Sequence, residues 1–368
     1  MLHSLVIALF TPPSTLDAKP TGNTSPYGIF RVQLSCPAAD GRCTKFQASI
    51  DLVTQFFENA FAVAKTINVQ VNVIGASHRN MFSDSDLAIT EVNYIFDSTP
   101  VINLPVALDK QLRSGLEDET DFVVNIDGDF SYYFPDDFGT RQDGYAILDV
   151  LAHEFLHGMG FGVLLDTEHQ RPVFFYEISQ GVQPSHGTIQ FYTNIFMDNV
   201  YSSNNEKLTK LIYEMNTQNQ IPLAKDKHET PQLLSFHQLK IDQLGKLATT
   251  PKELHFKTIH GNNVLLYSDW SYNPGASISH LDASYIGTQE MLMTSSGHHK
   301  TGVHNVESNC WNTSPFGPLT LEIMETLGYK LNPNPSFENS LHGFKSKKKS
   351  TKPSTNLSRK FPPKKLSS

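Results

Sequence analysis

Two histidines and a glutamate, His153, Glu154 and His157, lie within five consecutive positions of the chain. On a helix, residues four apart share a face, so the two imidazoles would project side by side. Two neutral imidazoles placed in this way can occupy two corners of a tetrahedral zinc site. Glu154 would then take a proton from a water molecule at the metal rather than bind the metal itself. The spacing therefore predicts a zinc site with its own general base, as in zinc hydrolases.

The residues around this motif predict a buried helix. From Ala146 to Phe161, all residues except the motif itself and Asp149 are apolar or glycine. Buried imidazole and carboxylate groups need partners, because an unsatisfied buried polar group costs about 2–7 kcal/mol. Metal ligation would supply those partners, and an ordinary core helix with hydrogen-bonded histidines is the alternative. Gly160 favours a left-handed turn that ends the helix. Such a turn is needed if a distant segment is to bring a third ligand to the metal.

The spacing of residues along the chain does not identify the third zinc ligand. Catalytic zinc usually has three protein ligands, but a histidine three residues after Gly160 would fall on Val163, which cannot bind zinc. Glu177 lies 20 residues after the motif, a spacing that resembles thermolysin-like enzymes. Its aromatic and β-branched neighbours favour a strand or loop over the helix those enzymes use. His280, in a loop containing Gly and Ser, is the other candidate, with Asp282 close by.

Three blocks of the sequence resemble leishmanolysin-like metallopeptidases, a metzincin-type family. The first is His153–Phe161 and the second is Pro274–Asp282, which contains a Ser-His pair. The third, Glu290–Thr294, contains a Leu-Met pair and is followed by a terminal Leu-Gly-Tyr sequence at Leu327–Tyr329. The resemblance implies a zinc metalloendopeptidase with a metzincin-like catalytic domain. It does not extend clearly to the N-terminal third of the chain.

The resemblance also implies roles for particular residues. His280 becomes the third zinc ligand, and Met293 forms an apolar floor under the metal, although a plain core methionine is the alternative. A peptide or protein substrate is expected to lie antiparallel to an edge strand that precedes the helix, where main-chain hydrogen bonds give affinity. Phe122–Ile126 is the candidate for that strand.

Strands that alternate loosely with helices, followed by a helix-rich second half, predict an α+β fold. Together with the resemblance, this indicates a twisted mixed sheet, an active-site helix and a helix-rich C-terminal lobe. Hydrophobic periodicity places the elements. Strands are expected at Gly28–Leu34, Val69–Ile74, Pro100–Leu108 and Phe122–Ile126, and helices at Thr44–Thr66, Tyr145–Gly158, Glu206–Asn216, Leu233–Leu247 and Leu319–Leu327.

Composition divides the chain into four parts. They are a signal or lead segment (1–25), an N-terminal catalytic subdomain with the zinc-binding helix (26–161), a C-terminal subdomain with an insertion, the third ligand and the methionine turn (162–332), and a disordered basic tail (333–368). Residues 341–368 hold nine Lys or Arg and no acid, which leaves 20 basic against 37 acidic residues elsewhere. Such an acidic body is a poor nucleic-acid binder. No apolar run approaches the roughly 20 residues of a membrane span.

Cysteines and glycosylation sequons indicate a secreted protein. Cys36 and Cys43 are close enough to form a disulfide, and sequons begin at Asn23, Asn312 and Asn356. The apolar run near the start is expected to belong to a signal peptide. The sequence therefore predicts a secreted zinc endopeptidase with Glu154 as general base. A non-catalytic, zinc-containing surface or binding protein on a similar fold is the alternative, although a purely structural zinc site has no need of a general base.

Overall fold

The computed structural model describes residues 28–36, 41–75, 87–95, 102–113, 120–137, 144–168, 171–180, 186–217, 220–222, 231–295 and 314–333. These residues form a mixed α/β structure with several small sheets. The helices are α1 (Arg42–Ala60), α2 (Val106–Leu112), α3 (Ile147–Gly158), α4 (Thr209–Asn216), α5 (Pro231–Ala248) and α6 (Pro318–Leu327). The strands are β1 (Phe30–Ser35), β2 (Phe61–Ala62), β3 (Ile67–Ile74), β4 (Ala88–Val92), β5 (Tyr94–Ile95), β6 (Ile102–Pro105), β7 (Phe122–Asp127), β8 (Tyr132–Tyr133), β9 (Tyr145–Ala146), β10 (Leu165–Glu168), β11 (Arg171–Phe174), β12 (Tyr176–Gln180), β13 (His186–Phe191), β14 (Thr193–Asn194), β15 (Val200–Ser202), β16 (Gln220–Pro222), β17 (Leu254–Lys257), β18 (Asn263–Leu265) and β19 (Lys330–Leu331).

The largest sheet has four strands in the order β1-β3-β7-β4. The first three strands run parallel, and β4 joins β7 in antiparallel orientation with Thr90 opposite Val124. Hydrophobic and β-branched residues fit this pleated, buried surface. The expectation that Phe122–Ile126 is the edge strand is wrong, because β7 lies between β3 and β4. Among the described strands, β4 forms that edge of the sheet.

Helices α1 and α3 build the main core with this sheet. The stripe predicted on α1 is buried, including Phe46, Ile50 and Phe57. The ring of Phe155, on α3, meets those of Phe30 and Phe122 at centroid distances of 5.1 and 5.7 Å. Such edge-to-face aromatic pairs add to the free energy gained by burial. The apolar face of α3 therefore fixes the helix that carries His153, Glu154 and His157 against the sheet.

The second half of the chain contains the predicted helices together with many short strands that were not predicted from the sequence. Helices α4, α5 and α6 form near the predicted positions, but most of the described elements after residue 161 are short strands. Two three-stranded sheets, β12-β13-β16 and β15-β17-β18, contain six of them. The apolar residues of α4 and α5 recur with the helical period, so the sequence predicts these helices. Strands of three or four residues are too short to show a period.

One N-terminal segment also differs from its prediction. Pro100–Leu108 is not one strand, since β6 ends at Pro105 and α2 begins at Val106. Proline fixes its own φ and lacks an N–H, so it suits a strand end that leads into a helix.

The proposed division into four parts stays a prediction. The tail from residue 334 and the three sequons lie outside the described residues.

Helix α6 and the residue that follows its end connect this part of the chain to α3. Its first turn is capped by the buried carboxylate of Glu290, which accepts hydrogen bonds from the N–H groups of Leu319 and Thr320 at 2.8 and 2.9 Å. The helix ends, as predicted, at Gly328 in a left-handed conformation. The hydroxyl of Tyr329 then donates to the carbonyl of Met159 at the end of α3, at 2.9 Å. Among the described helices, none is both long and apolar enough to cross a bilayer.

Candidate metal centre

Three imidazoles converge at one point in the structure. His153 and His157 project from successive turns of α3, and His280 reaches them from the loop that follows β18. The Nε2 atom of His153 lies 3.0 Å from that of His157 and 3.0 Å from that of His280, and the third pair is 3.2 Å apart. Two nitrogen ligands of a tetrahedral zinc ion lie about 3.3 Å apart when each bond is 2.0–2.1 Å. The three separations therefore suit a shared zinc ion.

Each of the three Nδ1 atoms lies within hydrogen-bond distance of a backbone carbonyl. The pairs are His153 with Leu292 at 2.6 Å, His157 with Phe161 at 2.5 Å, and His280 with Ala276 at 3.1 Å. A carbonyl oxygen can only accept, so each Nδ1 bears the proton and donates it. Each Nε2 therefore presents a lone pair to the other two. Three lone pairs that face one another repel, because no hydrogen lies between them, and a bound cation would remove this repulsion. The residues present thus fit a metal ion.

Burial keeps the two helical imidazoles neutral. Desolvation lowers the pKa of His153 to about 4. For His157 desolvation and the neighbouring His153 lower the pKa to about 3, against the raising effect of its hydrogen bond to Phe161. A histidine binds metal through its neutral form. Both rings are therefore in the ligating state near pH 7.

The loop that supplies His280 is held by strand-like contacts on both sides. The N–H of Tyr267 donates to the carbonyl of His280, and the N–H of Leu281 donates to that of Met293, each at 2.8 Å. Ile278, two residues before the histidine, has a φ of +69°. Such a value is an outlier for a β-branched residue and persists only where the surroundings enforce it. The fully buried side chain of Ile278 and the pairing of the loop provide that enforcement.

The end of α3 depends on glycine. Gly160 has a φ of +106° and donates its N–H to the carbonyl of His157 at 2.9 Å. A Cβ at this position would also lie 2.7 Å from the ring of Pro105, closer than real contacts allow. Both features fit the predicted turn. The turn brings the carbonyl of Phe161 back to His157, so the end of the helix orients one of the three imidazoles.

A buried asparagine holds the segment after this turn. The Nδ2 atom of Asn194 donates to the carbonyl of Gly162 at 2.8 Å, and its Oδ1 accepts from the N–H of Met197 at 2.9 Å. The Nδ2 atom also lies 3.2 Å from the hydroxyl of Tyr94. These groups position the chain next to Phe161, the hydrogen-bond partner of His157. Asn194 was not predicted from the sequence, because it lies 37 residues away from His157.

The carboxylate of Glu154 lies on the same helix as the two histidines and is largely buried, with 8% of the residue exposed. Its Oε2 accepts a hydrogen bond from the hydroxyl of Thr90 at 2.6 Å, and the same hydroxyl lies 3.1 Å from the backbone carbonyl of Glu154. Thr90 belongs to β4, the edge strand. Thr90 was not predicted from the sequence, because the pairing of β4 with the sheet decides its position.

Two further candidates are placed as follows. Met293 is fully buried at the end of a 3-10 turn, Gln289–Met293, directly after the carbonyl that accepts from His153. Its role under the metal stays a prediction. Glu177 lies in β12, paired with Gln190 of β13, as the local sequence favoured and unlike the helix of thermolysin-like enzymes. His280 belongs to the cluster that the described residues form around the two helical histidines.

Comparisons with known proteins match only the second half of the chain. A family model described as SPBPB7E8-like matches residues 177–358. The match includes His280 and Met293 but begins after α3, and its description names no activity. Neither a curated protein nor a solved structure matches the chain. The geometry of the site is therefore the main guide to the function of this protein.

Proposed function

We propose that this protein is a secreted zinc endopeptidase of the leishmanolysin-like, metzincin type. His153, His157 and His280 would hold the metal, and Glu154 would be the general base. One observation supports the proposal above the others: three imidazoles, each fixed by a carbonyl in the Nδ1–H tautomer, direct their Nε2 lone pairs at one point, and Glu154 directly follows His153 on the same helix. Three histidines and one open position are the ligand set of a catalytic rather than a structural zinc site.

The chain supplies the proton chemistry of the reaction. A zinc ion, when bound, lowers the pKa of a water molecule to about 7 and polarises a carbonyl group. Glu154 accepts the proton of the attacking water and later delivers it to the leaving amine, since a carboxylate can serve in turn as base and acid. A general base typically contributes about 10²–10⁴-fold in rate. A zinc site that served structure alone would gain nothing from this residue, which argues against the non-catalytic alternative.

The edge of β4 that no described strand covers suits an extended peptide substrate. The carbonyl of Leu87 accepts from the N–H of Asp127, and the N–H of Asn93 donates to the carbonyl of Asp121. Both bonds point from β4 toward β7. In an antiparallel pair such bonds alternate, so the backbone groups of Ala88, Thr90 and Val92 point to the other side. An added strand would find hydrogen-bond partners there. We therefore infer that the substrate lies along β4 and not along Phe122–Ile126.

The disulfide fits the proposed location. Cys36 and Cys43 form a disulfide bond, as the spacing predicted, with their Cα atoms 5.7 Å apart. The bond joins the end of β1 to the first turn of α1. Disulfides persist in oxidising compartments and are rare in the cytosol. The bond supports secretion, although the sequons and the lead segment lie outside the described residues.

The test combines metal content with proteolysis. The purified protein is expected to hold about one zinc ion per chain and to digest labelled casein until a chelator is added. Glu154→Gln should keep the zinc and lose at least 100-fold in rate. If the wild type binds no zinc even after soaking, the proposal is wrong. If Glu154→Gln keeps wild-type activity within about twofold, the general-base mechanism is wrong.

Two histidine variants test the ligand set. His280→Ala should lose zinc affinity by more than the roughly 10–100-fold typical of a residue that only supports a ligand. His260→Ala is the matched control, because His260 is exposed and pairs with Glu325 at 2.8 Å. Glu177→Ala tests the rival ligand. Loss of zinc in Glu177→Ala with retention in His280→Ala would replace the leishmanolysin-like assignment with a thermolysin-like one.

A further inference from the structure

We propose that Thr90 is a positioning residue that holds the carboxylate of Glu154 for its work as general base. The inference rests on the proposed function and names a further residue of that site. The hydroxyl of Thr90 lies 2.6 Å from Oε2 of Glu154, a short distance typical of a hydroxyl bonded to a carboxylate. The same hydroxyl oxygen lies 3.1 Å from the backbone carbonyl of Glu154. One side chain on the sheet edge therefore contacts the base twice.

The alternation of β4 explains why Thr90 faces the helix. Successive side chains of a strand point to opposite faces. Glu91, the next residue, has its carboxylate on the other side, where Oε1 accepts from the amide of Asn125 at 2.8 Å. Thr90 consequently points to α3. A shift of the strand by one residue would exchange the two side chains, so the register with β7, Thr90 opposite Val124, sets this contact.

A hydroxyl suits this position because it can donate to Oε2 whether or not the other oxygen of Glu154 carries a proton. While Glu154 is a carboxylate, Thr90 donates its hydrogen to Oε2. Once Oε1 of Glu154 has taken a proton from the water, Oε2 is the carbonyl oxygen of the acid and still accepts the hydrogen of Thr90. The contact therefore survives transfer of the proton in either direction. Glu154 can change from base to acid without losing the group that orients it.

The position of Thr90 also links the base to the substrate. Its backbone groups point to the edge of β4 that is unpaired among the described strands, where the peptide is proposed to bind, while its side chain contacts Glu154. A peptide that pairs with the strand would thus order the residue that holds the base. Since a misplacement of about 1 Å can cost 100-fold in rate, a loose carboxylate would lower kcat more than it changes binding.

The test compares three variants of the full chain loaded with zinc. Thr90→Val keeps the shape and the β-branch but loses the hydroxyl, so kcat on a quenched fluorescent peptide should fall about tenfold with KM and zinc content unchanged. Thr90→Ser restores the hydroxyl and should stay within about threefold of wild type. Glu91→Gln is the control from the opposite face of the same strand and should behave as wild type. If Thr90→Val does not fold, Thr90→Ala takes its place.

The double variant with Glu154→Gln separates positioning from a general effect on the strand. If Thr90 acts through Glu154, Thr90→Val should cause almost no further loss once the base is gone. An equal loss in both backgrounds, a rise in KM alone, or failure of Thr90→Ser to recover kcat would overturn the inference. A wild type that hydrolyses no peptide overturns the proposed function and this inference with it. An active wild type with an equally active Thr90→Val overturns this inference only.

Discussion

Replacement of Asn194 by alanine is expected to weaken zinc binding from outside the ligand set. Asn194 is fully buried in β14 and donates to the carbonyl of Gly162 at 2.8 Å. The preceding residue, Phe161, provides the carbonyl that accepts from Nδ1 of His157 at 2.5 Å. Loss of the asparagine amide would release the segment that fixes the orientation and tautomer of this imidazole. The substitution should therefore weaken zinc binding indirectly, because it acts on His157 through the backbone at Gly162 and Phe161.

The expected effect of Asn194→Ala has two parts, a loss of zinc affinity and a loss of stability. Groups that support a metal ligand typically contribute about 10–100-fold to metal affinity, which is about 1.4–2.7 kcal/mol. The substitution also leaves two backbone groups, the carbonyl of Gly162 and the N–H of Met197, without the bonds that Asn194 makes. Each buried group that loses its partner costs about 1–3 kcal/mol. The free energy of unfolding of the metal-free protein should therefore fall by about 2–6 kcal/mol.

Two assays separate these parts. Competition with a coloured chelator measures zinc affinity, and urea unfolding of the metal-free protein measures stability. Asn199→Ala is the matched control, because Asn199 makes one bond, from Nδ2 to the carbonyl of Ile195 at 2.9 Å, and supports no ligand. Tyr94→Phe removes only the hydroxyl 3.2 Å from Asn194 and should have a smaller effect on both quantities. If Asn194→Ala binds zinc within twofold of wild type, the proposed support of His157 is refuted.

Two further substitutions test the framework around the site. A Cβ at Gly317 would overlap the carboxylate of Glu290 that caps α6, so Gly317→Ala should lower the free energy of unfolding by about 1–3 kcal/mol, measured in urea. Gly245→Ala, inside α5 with no atom within 4 Å of the added Cβ, should instead raise it by about 1 kcal/mol, and a loss there would contradict the argument from space. Replacing Cys36 and Cys43 together by serine should cost about 2–3 kcal/mol because the closed loop is short. An unchanged urea midpoint in the double variant would show that the disulfide does not constrain the unfolded chain.

Local patterns in the sequence were sufficient for several features. The apolar surroundings of His153 and His157 predicted the helix that carries them, and Gly328 predicted where the last helix ends. The spacing of Cys36 and Cys43 predicted their disulfide, which is confirmed. Each of these features depends on residues within about one or two turns or a short loop, so the sequence itself contains the information. The resemblance to a family, and not the spacing, pointed to His280.

Tertiary structure decided everything that depends on which distant segments meet. Strand order moved the expected edge from Phe122–Ile126 to β4, and only that order places Thr90 against Glu154. The carbonyls of Leu292, Phe161 and Ala276 set the tautomers of the three histidines, although a carbonyl is present at every residue and leaves no mark in the sequence. Side-chain periodicity determines which face of a strand or helix is buried. It does not determine the neighbour that covers that face, because the free energy of pairing is shared among contacts far apart in the chain.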